Sequence, residues 1–210
     1  MYRLGTPCCI IFLKPKLELR PKRMHNGLRH LLMKKEFTVH FGSLLVFFLL
    51  ISLVRGWYSG FVYLYFWLGG IVGVLLPDLD HILYSLFLRP TEFTSQRTAY
   101  LLKNKRWANA LGLLVLTKHE RTYTVFHSYL FELVAIILMI LVITSSGSLF
   151  GRGMVLGIML HLLLDQFMDL QELNSLGRWQ QKISLKLEKD QEVLLWLVVS
   201  LLVLAFAFIF

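Results

Sequence analysis

The chain has 210 residues, 56% of them hydrophobic and only 17% charged, with a mean hydropathy of +0.62. Soluble domains are roughly 45–50% apolar and about 25% charged, so this composition argues against a soluble secreted domain and against a disordered chain. The 22 Lys+Arg against 13 Asp+Glu leave +9, and the only cysteines are the adjacent Cys8 and Cys9, which supply neither a disulfide framework nor a four-thiolate zinc site.

In chain order, residues 1–36 form a basic tail and residues 37–210 a membrane domain. Nine of the basic residues fall in the tail against Glu18 and Glu36, so the tail carries +7 of the +9. Cys8–Leu13 is apolar but too short for a signal-peptide core, and lysines follow it rather than a cleavage site. Pro7, Pro15 and Pro21 discourage helix there. Either the tail lies on anionic lipid, or translation starts at Met33, which puts Lys34 and Lys35 directly before the first span. The second option is favoured, because a short basic start is enough to orient that span.

Five apolar stretches have the length a bilayer core of roughly 30 Å requires, about 20 helical residues. They are Phe37–Val54, Gly60–Leu76, Thr122–Thr144, Leu149–Leu170 and Val193–Phe210. The expectation is an all-α polytopic membrane protein with about five transmembrane helices. Ala108–Leu116 is apolar but too short to cross. It reads as a helix in the cytoplasmic interface, or equally as a loop helix packed on the bundle. Gly69/Gly73 and Gly153/Gly157 are small-xxx-small pairs that suit close packing of the second span against the fourth. Gly151-Arg152-Gly153 has no preceding strand and is not a dinucleotide fingerprint.

Loop charge predicts orientation. Twenty of the 22 Lys+Arg fall before the first span or in the segments 77–121 and 171–192, whereas the alternate loops hold only Arg55 and Arg152. The N-terminus is therefore expected in the cytoplasm and the C-terminus outside. The basic balance is an orientation signal, and no nucleic-acid partner is expected.

Ionisable residues inside apolar spans are costly and mark candidate sites. Asp78, Asp80 and His81 collect within four residues at the inner end of span two, where Pro77 fits a kink or the first turn of a new helix. His161 and Asp165 are four apart on span four and share one face, about 6 Å apart along the axis, with Asp169 continuing the stripe. His127 and Ser128 are expected within the first two turns of span three, with His119 and Arg121 just before it. His40 lies one turn into span one. Five of the seven histidines thus map to one half of the membrane, several with Asp beside them. Imidazole and carboxylate together suit Zn²⁺, Mn²⁺ or Fe²⁺, and seven candidates suffice for two ions. Such ions activate water and neutralise phosphoryl charge. A proton relay through His127 or His161 and Asp165 is the alternative, and with it a metal-ion or proton transporter.

The set His40, Leu-Leu-Pro-Asp78-Leu-Asp80-His81, Phe-His127-Ser128 and Gly157-Ile-Met-Leu-His161-Leu-Leu-Leu-Asp165 resembles, in order and type, the YdjM-like family. The resemblance spans about residues 38–170. It implies an inner-membrane metal-dependent hydrolase related to zinc-dependent phospholipases C, with His40, Asp78, Asp80, His81, His127, His161 and Asp165 as the metal site. The chain departs from that family at 119–128, where His119 and His127 are three residues further apart than in its compact motif and no glycine intervenes. It departs again at 166–178, which has no proline. The resulting expectation is hydrolysis of a phosphoester or lipid head group, Zn²⁺ being the favoured metal, with His119 or Arg121 as general acid or phosphate ligand. A metal-ion or proton transporter and a non-catalytic scaffold with a structural metal are the rivals.

Overall fold

The computed structural model describes residues 26–57, 61–121, 124–180 and 186–209, and all regular structure among them is helical. The helices are α1 (Asn26–Val54), α2 (Val62–Leu75), α3 (Leu79–Leu83), α4 (Phe93–Lys103), α5 (Trp107–Leu116), α6 (Tyr129–Ser145), α7 (Leu149–Glu172) and α8 (Lys189–Ile209). A π-helical turn, Tyr84–Leu88, extends α3, and a 3₁₀ turn, Lys118–Glu120, follows α5. Of the basic tail, residues 1–25, including Cys8–Leu13 and the three prolines, lie outside the described residues. From the first described residue, Asn26, the chain is already helical ahead of the expected boundary at 37.

Among the described residues, four helical runs are long and apolar enough to cross a membrane: Lys34–Val54, Tyr63–Leu88, Leu149–Glu172 and Lys189–Ile209. The second is longer than expected. Pro77 ends α2 at Leu75, but the chain re-enters helix at Leu79, so Asp78, Asp80 and His81 sit within one helical run rather than at its end. The third expected span is shorter. Its helix, α6, is 17 residues, about 26 Å at 1.5 Å per residue, and starts at Tyr129 rather than Thr122. Residues 124–128 stay out of the helix, and the amides of Val125, Phe126 and His127 bind elsewhere, as described below. The Ser128 hydroxyl then caps α6 by accepting from the Phe131 N–H at 3.4 Å.

Helix α7 is the axis of the bundle. Its most extensive contact is with α2, and α6, α8 and α1 pack around it. Apolar burial does not drive helices together inside hydrocarbon, so close backbone approach must do so. Both glycine pairs lie in that seam. A Cβ at Gly69 would fall 2.1 Å from the Phe150 carbonyl oxygen, and one at Gly73 would fall 2.2 Å from that of Met154. On the facing helix, a Cβ at Gly153 would lie 2.0 Å from the Phe66 carbonyl oxygen. Helix α5 packs on α1 and α4, with Ala110, Gly112, Leu113 and Leu114 buried.

Two polar anchors close the ends. The Arg152 Nε–H donates to the Ser146 carbonyl at 3.0 Å and draws together the short α6–α7 connection. At the other end Glu192, buried in the first turn of α8, accepts from the Leu176 N–H at 2.8 Å and the Gln180 amide at 2.5 Å, seating Leu176 and Trp179 in the core. Among the described residues the site thus lies where α1, α2–α3, the 124–128 segment and α7 converge.

Candidate metal centre

Asp165 is the hub. Its helical position four residues after His161 places the two on one face of α7, and His161 Nε2 lies 3.5 Å from Asp165 Oδ2. Helix α1 brings His40 Nε2 to 3.3 Å from Asp165 Oδ1, and the 124–128 segment brings His127 Nε2 to 2.8 Å from Oδ2. Three imidazoles therefore face one carboxylate. The α2–α3 junction adds Asp78, whose Oδ1 is 3.8 Å from His161 Nε2. His40 Nδ1 lies 2.9 Å from the Glu36 carbonyl oxygen one turn earlier, which directs Nε2 inward.

His40, His161 and Asp165 each present a donor atom such that all three lie within 4.8 Å of one another. Two donors on one ion with bonds of about 2.1 Å stand at most about 4.2 Å apart, so the cluster is close to that span. His40 Nε2 and both ring nitrogens of His161 are buried and make no hydrogen bond. Among the described residues, the two Nε2 atoms meet only the carboxylates of Asp165 and Asp78, at 3.3–3.8 Å and without hydrogen-bond geometry. Buried imidazoles facing a carboxylate, without other satisfaction, form a donor set that suits a borderline cation such as Zn²⁺.

Asp80 does a different job. It is fully buried, and its carboxylate accepts from the amides of Val125 (2.9 Å), Phe126 (2.6 Å) and His127 (3.4 Å). These three bonds hold the chain in a bend, out of helix, before α6. The same carboxylate stands 3.4 Å from His127 Nδ1, so His127 is clamped between Asp80 and Asp165. A proton on either ring nitrogen meets a carboxylate. That is how a carboxylate behind a histidine orients it. His81 stacks on His127 with ring centroids 5.0 Å apart, and its buried Nδ1 has no hydrogen-bond partner.

All seven residues expected as ligands therefore belong to one connected cluster, although they play different parts. His40, His161 and Asp165 present donors close to one another, and Asp78 approaches His161 from the side. His127 and Asp80 stand behind Asp165, and His81 lies beside them. The two residues expected to do acid or phosphate chemistry are elsewhere. His119 lies beside α7 one turn further on, with Nε2 3.4 Å from Glu172 and Nδ1 4.0 Å from Asp169. Burial, with Arg178 and Lys118 nearby, pulls its imidazole below the ordinary value. Arg121 is buried, and its Nη2 donates to the Leu114 carbonyl and the Thr117 hydroxyl, each at 2.8 Å. Burial lowers its guanidinium to about 10, an effect partly opposed by Glu120, so it stays charged at neutral pH. Asp169 is occupied by Arg178 (2.6 Å) and the Trp179 indole (3.0 Å).

Two pairings had no sequence signal, although Glu132 stands out as an ionisable residue in an apolar segment. Lys118 reaches across 82 residues to donate to Glu36 at 2.6 Å. Burial alone would push its ammonium down, but Asp165 and Glu36 outweigh that and hold it above the usual lysine value. Gln166 donates to the buried Glu132 at 2.8 Å, joining α7 to α6. Glu36 and Lys118 also border a cavity of about 680 Å³ that reaches His40, Asp78, His81 and Asp165.

The fold and site define the class: among the described residues, an all-helical architecture with four helical runs of membrane-spanning length and a buried His–Asp cluster between them. Compared with protein-family models, curated proteins and solved structures, the chain has no match.

Proposed function

We propose that the chain is a membrane-embedded metal-dependent hydrolase of the YdjM-like kind, acting on a phosphoester or lipid head group at the cytoplasmic face of the inner membrane. The observation that carries the reading is the convergence of His40, His161 and Asp165, with His40 Nε2 and both ring nitrogens of His161 buried and without a hydrogen bond. A divalent ion in such a set supplies an activated water and neutralises phosphoryl charge. Around it, the chain's own groups divide the labour. Asp165 gathers the imidazoles, Asp80 fixes the ring of His127, and His127 holds a proton between two carboxylates. Asp78, half-exposed beside His161, is the member open to an incoming substrate.

Charge supports the orientation. Lys35 pairs with Glu172, and Lys118 pairs with Glu36, all at the end of the bundle where the loops are basic. Helix α6 serves as a short fifth span, since Leu130, Leu133, Ile137 and Leu141 leave an exposed apolar stripe. The buried Glu132–Gln166 pair, one helix over from the site, favours a second reading as a proton or metal-ion carrier.

Metal analysis of the purified protein tests the reading. The wild type is expected to hold Zn²⁺, Mn²⁺ or Fe²⁺ stoichiometrically, and His161→Ala to lose it. Asp80→Ala is expected to keep the ligands but bind about 10–100-fold more weakly, as when a residue that orients a ligand is removed. A wild-type protein without metal removes the hydrolase reading. Ion flux in liposomes without phosphoester hydrolysis would favour the carrier.

A further inference from the structure

The cavity beside the cluster has two chemically distinct parts. Its volume, about 680 Å³, is within the roughly 300–1,000 Å³ of small-molecule sites. One part is polar: Lys34, Glu36 and Lys118 border it together with His40, Asp78 and Asp165. The rest is apolar, with Phe41, Val74, Ile82 and Val115 among its walls. Phe37, Leu75, Leu79 and Leu111 also line it, and they are 63%, 45%, 51% and 47% exposed. Exposed apolar side chains at the edge of a cavity between apolar helices mean that it opens sideways, towards hydrocarbon. A water-soluble substrate does not require that opening.

The level of the polar end fits as well. His40 is six residues into the Lys34–Val54 run, about 9 Å along the helix. That is the depth at which a head group meets its chains, with Lys34 and Lys118 towards the surface. Lys118 spends one N–H on Glu36; an ammonium has three, so two remain for an anion beside Asp165 and His40.

We propose that this cavity admits the acyl chains of a phosphate-headed membrane lipid laterally, between α1, α3 and α5, with Lys118 selecting the phosphate and presenting it to the His–Asp cluster. The inference deepens the hydrolase reading by naming the substrate class of the same site, and it rests on that reading for the fate of the lipid. The apolar wall takes the chains, the ammonium takes the charge, and Glu36 keeps the ammonium in place until the phosphate arrives.

Retention of labelled probes by the full-length protein in maltoside detergent tests it. The probes are phosphatidic acid, diacylglycerol with the same chains, and glycerol phosphate. Phosphatidic acid is expected to be retained at least tenfold better than either of the others. Ile82→Trp and Val115→Trp, which fill the apolar wall, are expected to reduce retention at least tenfold, and Lys118→Met to erase the preference for phosphatidic acid over diacylglycerol. Glycerol phosphate competing as well as phosphatidic acid overturns the inference in the wild type alone, whether or not the variants fold. Equal retention of diacylglycerol overturns it too. Metal is measured on the same samples. Metal without lipid selectivity sinks this inference and leaves the hydrolase reading standing; lipid selectivity without metal does the reverse.

Discussion

Alanine at Gly69 sets two opposed effects against each other. In an exposed helix the change from Gly to Ala stabilises by about 1 kcal/mol through propensity. In the α2–α7 seam the new Cβ would lie 2.1 Å from the Phe150 carbonyl oxygen and 2.9 Å from the Met154 nitrogen, both backbone atoms. Ordinary contact begins at 3.4 Å, so the helices must part by about 1.3 Å. A gap of 0.5–1 Å already forfeits a quarter to a half of the dispersion energy along the lining. Overpacking of this kind costs about 1–3 kcal/mol, and a rigid backbone neighbour places it at the upper end. The net expectation is a loss of about 2 kcal/mol, or roughly 4–8 °C in Tm for a chain of this size. Thermal unfolding in detergent, followed by circular dichroism, reads it. Gly42→Ala is the control: nothing lies within 4 Å of its added Cβ, so only the propensity gain of up to about 1 kcal/mol remains. If Gly69→Ala is as stable as Gly42→Ala, the close approach of α2 and α7 is wrong.

Further expectations concern the anchors and pH. Glu192→Ala strands the Leu176 amide and the Gln180 side chain, so it should cost about 3 kcal/mol in the same unfolding assay; a loss below about 0.5 kcal/mol would show that the 175–180 loop is not held from α8. Asp80→Asn keeps one carbonyl acceptor and loses the charge shared by three amides. Amide exchange at Val125–His127 should therefore quicken while α7 stays protected, and unchanged exchange there would contradict the clamp. His119 has a lowered pKa, so the unfolded chain binds its proton first; its share of stability is complete above about pH 6.5 and declines as pH falls below that value. His119→Gln should flatten the wild-type loss of stability between about pH 6.5 and 5, and parallel profiles would refute the assignment.

Much of the helical framework is legible in the residues because the signals are local. Apolar stretches of span length and the break at Pro77 depend on neighbours only. The His161–Asp165 pair is legible for the same reason, since helical geometry alone puts residues four apart on one face. The glycine pairs announce a close seam, although only the packed helices show that they face each other. The cost of ionisable groups in apolar segments is what marks the seven polar residues as site candidates.

Tertiary structure decided what depends on distant partners. The start of α6 moves to Tyr129 because Asp80, 45 residues before Val125, takes the amides that would otherwise begin the helix. His119 and Arg121 look like site residues by proximity in sequence. Glu172 and the Leu114 carbonyl hold them away from the cluster. Lys118 joins the cavity only because Glu36, on another helix, holds its ammonium there. Composition and +9 establish a basic apolar chain suited to a membrane. Which of its few charged groups meet is settled by long-range contacts, because a buried charge stays only where a partner from elsewhere in the fold satisfies it.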